Sequence, residues 1–149
     1  MTKLTKSIEI EASSEKVFAF VISEKMNTDV WGKWLEGKWT SKGPVGVGST
    51  SHWIAKPDFK MKGEWDEEVT EFVTNKKMAM RTVEGSKLKM TATMTFEPTT
   101  KGTKVTFNEE YEVPYSVLGK LIDKLKFSKD TEKFMEELLE KLKKAIEAN

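Results

Sequence analysis

The sequence predicts an α+β fold, a curved antiparallel sheet of about six or seven strands wrapped around one long C-terminal helix, with two short helices after the first strand. Three observations carry this. Apolar residues recur at helical spacing over residues 115–148, about eight or nine turns, after Pro114 and with no further proline. Residues 88–96 alternate strictly between apolar and polar side chains, as a strand with one buried face does. Turn residues recur between the extended stretches, which implies consecutive antiparallel pairing. So long a helix must have its apolar stripe covered, and the sheet is the available partner. Such an assembly leaves room for a cavity between the two.

In chain order, residues 4–11 alternate with Ile8 and Ile10 on one face, which predicts the first strand. The period then changes. Ser13 suits an N-cap, Glu15 lies in the first turn, and Val17, Phe18, Val21 and Ile22 form a helical face. A second short helix is expected over residues 28–35, with Trp31, Trp34 and Leu35 on one side, ending at Glu36 and Gly37. Residues 38–41 make a short strand, 42–48 a turn-rich loop, and 49–56 a further strand. After Pro57 and Asp58, strands are expected over 61–72 and 78–83, with a turn at 74–77. A hairpin turn at 84–86 leads to the strand of Leu88, Met90, Ala92, Met94 and Phe96. The last strand places Val105, Phe107, Glu109, Tyr111 and Val113 on its inner face.

The long helix carries two stripes that do not line up. Leu118, Leu121, Ile122 and Leu125 form the first, and Met135, Leu138, Leu139, Leu142 and Ile146 the second. Residues 126–131 between them are largely polar. Asp130 followed by Glu132 suits the cap of a restarting helix, so a kink or short break is expected near residues 128–130. The alternative is one straight helix with an imperfect stripe.

Composition narrows the function classes. The 149 residues suit a single domain spanning 1–149, large enough to bury a core. The net charge of +1, with Lys and Glu interspersed, argues against a nucleic-acid partner, which needs a basic face. The absence of cysteine removes disulfides, thiolate metal sites and cysteine nucleophiles. No metal and no cofactor are expected. No apolar run approaches the ~20 residues of a membrane span, and residues 1–7 contain no signal-peptide core. A cytoplasmic monomer without stable membrane insertion is the expectation.

Several local signatures coincide with this order. They are the strand-to-helix junction at residues 10–18, the loop at 43–49, Gly63-Glu64-Trp65 leading to residues 68–72, and Thr95-Phe96-Glu97-Pro98 with Gly102-Thr103. Together they resemble the SRPBCC superfamily, also called START-like or Bet v1-like, and within it the polyketide cyclase/dehydrase branch. The resemblance covers nearly the whole chain and implies a helix-grip fold whose cavity holds lipids, sterols, polyketides or other apolar molecules. Its motifs are turns, caps and core positions, so it transfers no catalytic residue. Ser14 stands where the family often has proline.

The residues themselves point toward a small hydrophobic partner. Trp31, Trp34, Trp39 and Trp53 cluster around the second short helix and the following strands. Thioethers at Met78, Met80, Met90 and Met94 suit a wall that adapts to several ligands. The expected cavity is lined by Trp31, Trp34, Leu35, Ile54, Trp65, the four methionines, Phe107, Tyr111, Leu118 and Ile122. The candidate acid/base residues are Glu67, Glu109 and His52. Glu67 and Glu109 fall on inward faces, where a carboxylate is costly unless paired, with Arg81 a possible partner, or unless a bulge turns one outward. His52 points inward if Ile54 does and outward in the opposite register. Binding of a lipid-, polyketide- or isoprenoid-like molecule is the first expectation. A cyclase or dehydratase on the same cavity is the second, and a co-chaperone-like interaction module the third.

Overall fold

The computed structural model of the chain describes residues 2–112 and 121–148, with the helical backbone alone for residues 121–124. Strand β1 (Thr2–Ile10) is followed by helix α1 (Ser14–Val21), a π-helical turn (Met26–Val30) and a 3-10 turn (Trp31–Lys33). Six strands come next: β2 (Leu35–Trp39), β3 (Thr50–Ala55), β4 (Glu64–Val73), β5 (Lys77–Thr82), β6 (Lys89–Pro98) and β7 (Thr103–Glu112). Helix α2 (Leu121–Glu147) closes the described chain. The seven strands form one antiparallel sheet in the order β1-β7-β6-β5-β4-β3-β2. Only β1 pairs out of sequence, against β7.

The junction after β1 is held by short-range chemistry. Ser13 Oγ accepts a hydrogen bond from the Lys16 amide at 3.2 Å, which caps α1. The Thr103 hydroxyl donates to the Ala12 carbonyl at 2.8 Å. Gly102 lies so close that a Cβ there would sit 2.1 Å from the Ile10 carbonyl oxygen, so no side chain fits. The far end of α2 is tied to the same corner. Lys143 Nζ donates to the Glu9 carbonyl, and the Glu147 carboxylate accepts from the Glu11 amide, both at 2.8 Å.

Helix α2 runs without interruption through residues 128–130, which corrects the expected break. The polar segment is absorbed sideways instead. Thr131 is fully buried and its hydroxyl donates to the Phe127 carbonyl at 2.7 Å, while the Ser128 hydroxyl pairs with that of Tyr111 at 2.9 Å. Phe127, Thr131, Phe134, Leu138, Leu142 and Ile146 then form one buried stripe. Leu125, assigned to an apolar stripe, is 67% exposed. Leu118 lies outside the described residues, as do the side chains of Leu121 and Ile122.

Two other boundaries differ from expectation. The second helical piece is a tight pair of turns, and β2 already begins at Leu35, within the span expected to be helical. Residues 56–63 are a loop rather than the start of β4, closed by a hydrogen bond from the Ala55 N–H to the Gly63 carbonyl at 2.9 Å. This loop buries Phe59 and Met61. No helix among the described residues is long and apolar enough to cross a membrane.

Candidate functional site

Strand register organises the concave face in rows. Val69, Met80, Ala92 and Glu109 lie side by side on β4 to β7. On one side of this row run Phe72, Met78, Met94 and Phe107, and on the other Glu67 pairs with Thr82 and Met90 with Tyr111. Ala92 is the small residue of the middle row, between a methionine and a carboxylate. A cavity of about 70 Å³ opens above it. Met78, Met80, Met90 and Met94 line it with Ala92.

Aromatic side chains make its walls and roof. Trp31 packs edge-on against Trp53 at 5.5 Å and Phe107 at 6.3 Å between ring centres. Phe134 of α2 meets Trp31, Trp34 and Phe59 at 5.9, 4.9 and 5.2 Å. Trp53 can lie flat over β2 because Gly37 faces it, where a Cβ would stand 2.3 Å from the ring. Val21, Met26, Asn27, Leu35, Trp39, Met61 and Trp65 complete the lining.

Among the described residues, three ionisable groups line this apolar space: Glu67, Glu109 and Lys60. Glu67 and Glu109 are 7% and 5% exposed. The Trp65 Nε1–H donates to Glu67 Oε2 at 2.7 Å. Burial pushes the Glu67 carboxyl up to about 7; the Trp65 hydrogen bond opposes the rise and the Glu109 charge adds to it. Burial raises Glu109 as well, against the nearby charge of Lys60. Among the described residues Glu109 Oε2 has no hydrogen-bond partner. Lys60 is half-buried and its amine is pulled down by burial, against the charges of Glu109 and Asp130. Its Nζ sits 4.3 Å from the ring centre of Phe127, 5.3 Å from Phe59 and 5.5 Å from Phe134. Among the described residues it forms no ion pair with either glutamate.

Of the expected wall, Trp31, Leu35, Trp65, Met78, Met80, Met90, Met94 and Phe107 line the cavity. Trp34 does not. It packs behind Phe134. Tyr111 is buried next to the site, but its hydroxyl faces Ser128 and its ring Phe127. Ile54 points away and is 38% exposed, because β3 turns Trp53 inward and its neighbours outward. His52 is therefore on the outer face. Its Nδ1 meets Asp66 at 2.8 Å and its Nε2 meets Glu64 at 3.2 Å, so it is not a cavity acid or base. The bulge in β4 falls after Glu67, between Val69 and Glu71, and both glutamates stay inside. Arg81 pairs with Glu68 at 2.8 Å on the outer face, not with Glu67. No residue of the loop 43–48 lines the cavity. Sequence reasoning misses Asn27, Phe59, Lys60, Ala92 and Phe134 among the lining residues, and it misses Lys60 because alternation alone starts the strand at Met61. Gly63, with φ of +97°, marks the true boundary.

Comparison with known proteins agrees with this architecture. A search of curated proteins finds no match. Among solved structures the chain is similar to TTHA0849 from Thermus thermophilus, with 24% identity and a TM-score of 0.81 over 99% of this chain and 98% of that one. It is similar to the Zhui aromatase/cyclase from a Streptomyces species, with 11% identity and a TM-score of 0.78 over 98% and 93%. The Aha1 dimer from Colwellia psychrerythraea aligns with 18% identity and a TM-score of 0.63 over 96% and 97%. At these identities the neighbours speak for the fold. The family model described as polyketide cyclase / dehydrase and lipid transport matches residues 1–147, and the chain belongs to that family, within the SRPBCC superfamily.

Proposed function

We propose that the protein binds a small hydrophobic molecule in the cavity between the sheet and α2. One observation carries the reading: an apolar, Met- and Trp-lined space holds a buried carboxylate oxygen, on Glu109, that has no partner among the described residues. A ligand with an apolar body and one hydrogen-bond donor satisfies both features. The space is small beside the roughly 300–1,000 Å³ of ordinary ligand pockets, so uptake requires the lining methionines to change rotamer, which their unbranched chains allow. The family description, which includes lipid transport, supports the same class of lipid-, polyketide- or isoprenoid-like ligands.

A second reading, a cyclase or dehydratase, is favoured by one further observation. Two carboxyl groups face one apolar space: Glu67, held near 7, is able to take up or release a proton, and Glu109, raised by burial against the charge of Lys60, is the second acid/base group. The neighbour described as an aromatase/cyclase supports this on fold alone. An interaction module has less behind it. The exposed large apolar residues among those described, Val47, Ile54, Val73 and Leu125, are spread over a loop, two strands and α2.

The test is native mass spectrometry on protein purified from its own host, with fluorescence titration of N-phenyl-1-naphthylamine as a neutral probe. A stoichiometric hydrophobic adduct, or saturable probe binding displaced by lipid extract, is the expected outcome. A clean apo mass with no probe binding overturns the binding reading.

A further inference from the structure

Among the described residues, the ionisable groups facing the cavity are unequal in number. Two buried carboxyl groups, Glu67 and Glu109, stand beside one ammonium, Lys60, which lies against the rings of Phe59, Phe127 and Phe134 and forms no ion pair with either glutamate. Glu67 has one donor, the Trp65 indole, and Glu109 Oε2 has none among the described residues. A hydrogen-bond donor brought in by a ligand completes Glu109, and a cationic donor also stabilises the ionised carboxylate that burial disfavours. The walls favour the same sign. Trp31, Trp53 and Trp65 line the space, and an indole face attracts a cation more strongly than any other side-chain ring. An anionic head group meets the opposite situation: two carboxylates, and a single lysine already seated among phenylalanines.

From this we infer that the preferred ligand is an amphiphilic amine, whose ammonium binds at Glu109 and Glu67 against the tryptophan wall while its hydrocarbon part lies over Ala92 and the methionines. The inference rests on the binding reading above and narrows it from hydrophobic molecules in general to cationic ones. Lys60 is then a resident competitor, a cation held close to the site that the ligand's own ammonium supplants electrostatically.

The experiment compares three probes with one hydrocarbon chain, octylamine, octanol and octanoate, by displacement of N-phenyl-1-naphthylamine from the intact protein at neutral pH. Octylamine should bind roughly tenfold or more tighter than octanol, the margin of a charge-assisted over a neutral hydrogen bond, and octanoate weakest of the three. Glu109→Gln should abolish the amine preference, bringing octylamine binding down to the level of octanol or below it. Lys60→Met should tighten octylamine, an effect that damage to the fold does not produce. Equal binding of the three probes, or octanoate binding tightest, overturns the amine inference and leaves the hydrophobic-binding reading standing. Failure of the naphthylamine itself to bind overturns that reading, and the amine inference with it.

Discussion

The two long apolar surfaces that meet inside this molecule are built on different terms. On α2, Phe134, Met135, Leu138, Leu139, Leu142 and Ile146 are 6% exposed or less and bring no charge into the core. On the concave sheet, Met78, Met80, Ala92 and Met94 share their face with Glu67 and Glu109, leaving a cavity and an unpartnered oxygen. The first surface is what stability requires, since close packing of branched side chains recovers the most free energy from burial. The second accepts a desolvation cost that stability alone would remove with two leucines.

The comparison can be broken most forcefully on the helix side. Leu138→Ala should cost about 2–5 kcal/mol in urea unfolding, because Leu138 has no exposure and its truncation opens a void under the helix. A loss near zero would mean that the helix face is not close-packed. On the sheet side Glu67→Gln should act in the opposite direction. The folded carboxyl titrates at about 7 against 4.5 in the unfolded chain, so the folded state binds the extra proton and wild-type stability falls as pH rises from 4.5 through 7. The glutamine variant, which keeps an acceptor for the Trp65 indole, should equal wild type near pH 4 and exceed it by about 3 kcal/mol above pH 8. Parallel stability curves at every pH would show that Glu67 is not buried in its charged form.

Smaller effects sharpen the contrast. Ala92→Phe should fill the space above the middle row and abolish naphthylamine binding, at about 1–3 kcal/mol of overpacking; retained binding would move the ligand site elsewhere. His52→Ala tests the outer face of the same sheet. Its imidazole is raised by the hydrogen bond to Asp66, opposed by desolvation and aided by Glu64. The stability it contributes is therefore full below the unfolded value of 6.5 and is lost as pH rises through the folded value. Because the cluster is solvent-exposed, the loss should be under about 1 kcal/mol at pH 5.5 and vanish by pH 9, with probe binding unchanged. Altered binding in this variant would reconnect His52 to the cavity.

Periodicity sets what was legible in advance. The alternation of Met90, Ala92, Met94 and Phe96 and the spacing of Leu138, Leu142 and Ile146 are properties of single elements, and both hold in the fold. The same period placed Glu67 and Glu109 indoors. It left open the register of β3, because Ser51, Trp53 and Ala55 against His52 and Ile54 offers a hydrophobe on each face. Pairing with β2 and β4 resolved this by laying Trp53 between Gly37 and Trp65.

By itself, then, the sequence determined the order of the elements, the inward face of β6 and β7, and the apolar class of the interior. These follow from local period, capping and turn chemistry, which act over a few residues. Only the tertiary structure decided that α2 continues through Ser128 and Asp130, that Lys60 comes to the cavity, and that Arg81 serves Glu68. Each of these depends on a partner distant in sequence: Tyr111 for Ser128, Glu109 for Lys60, the outer face of β4 for Arg81. The burial that sets the charge state of the two glutamates is a property of the closed sheet and helix together, and no single stretch of the chain contains it.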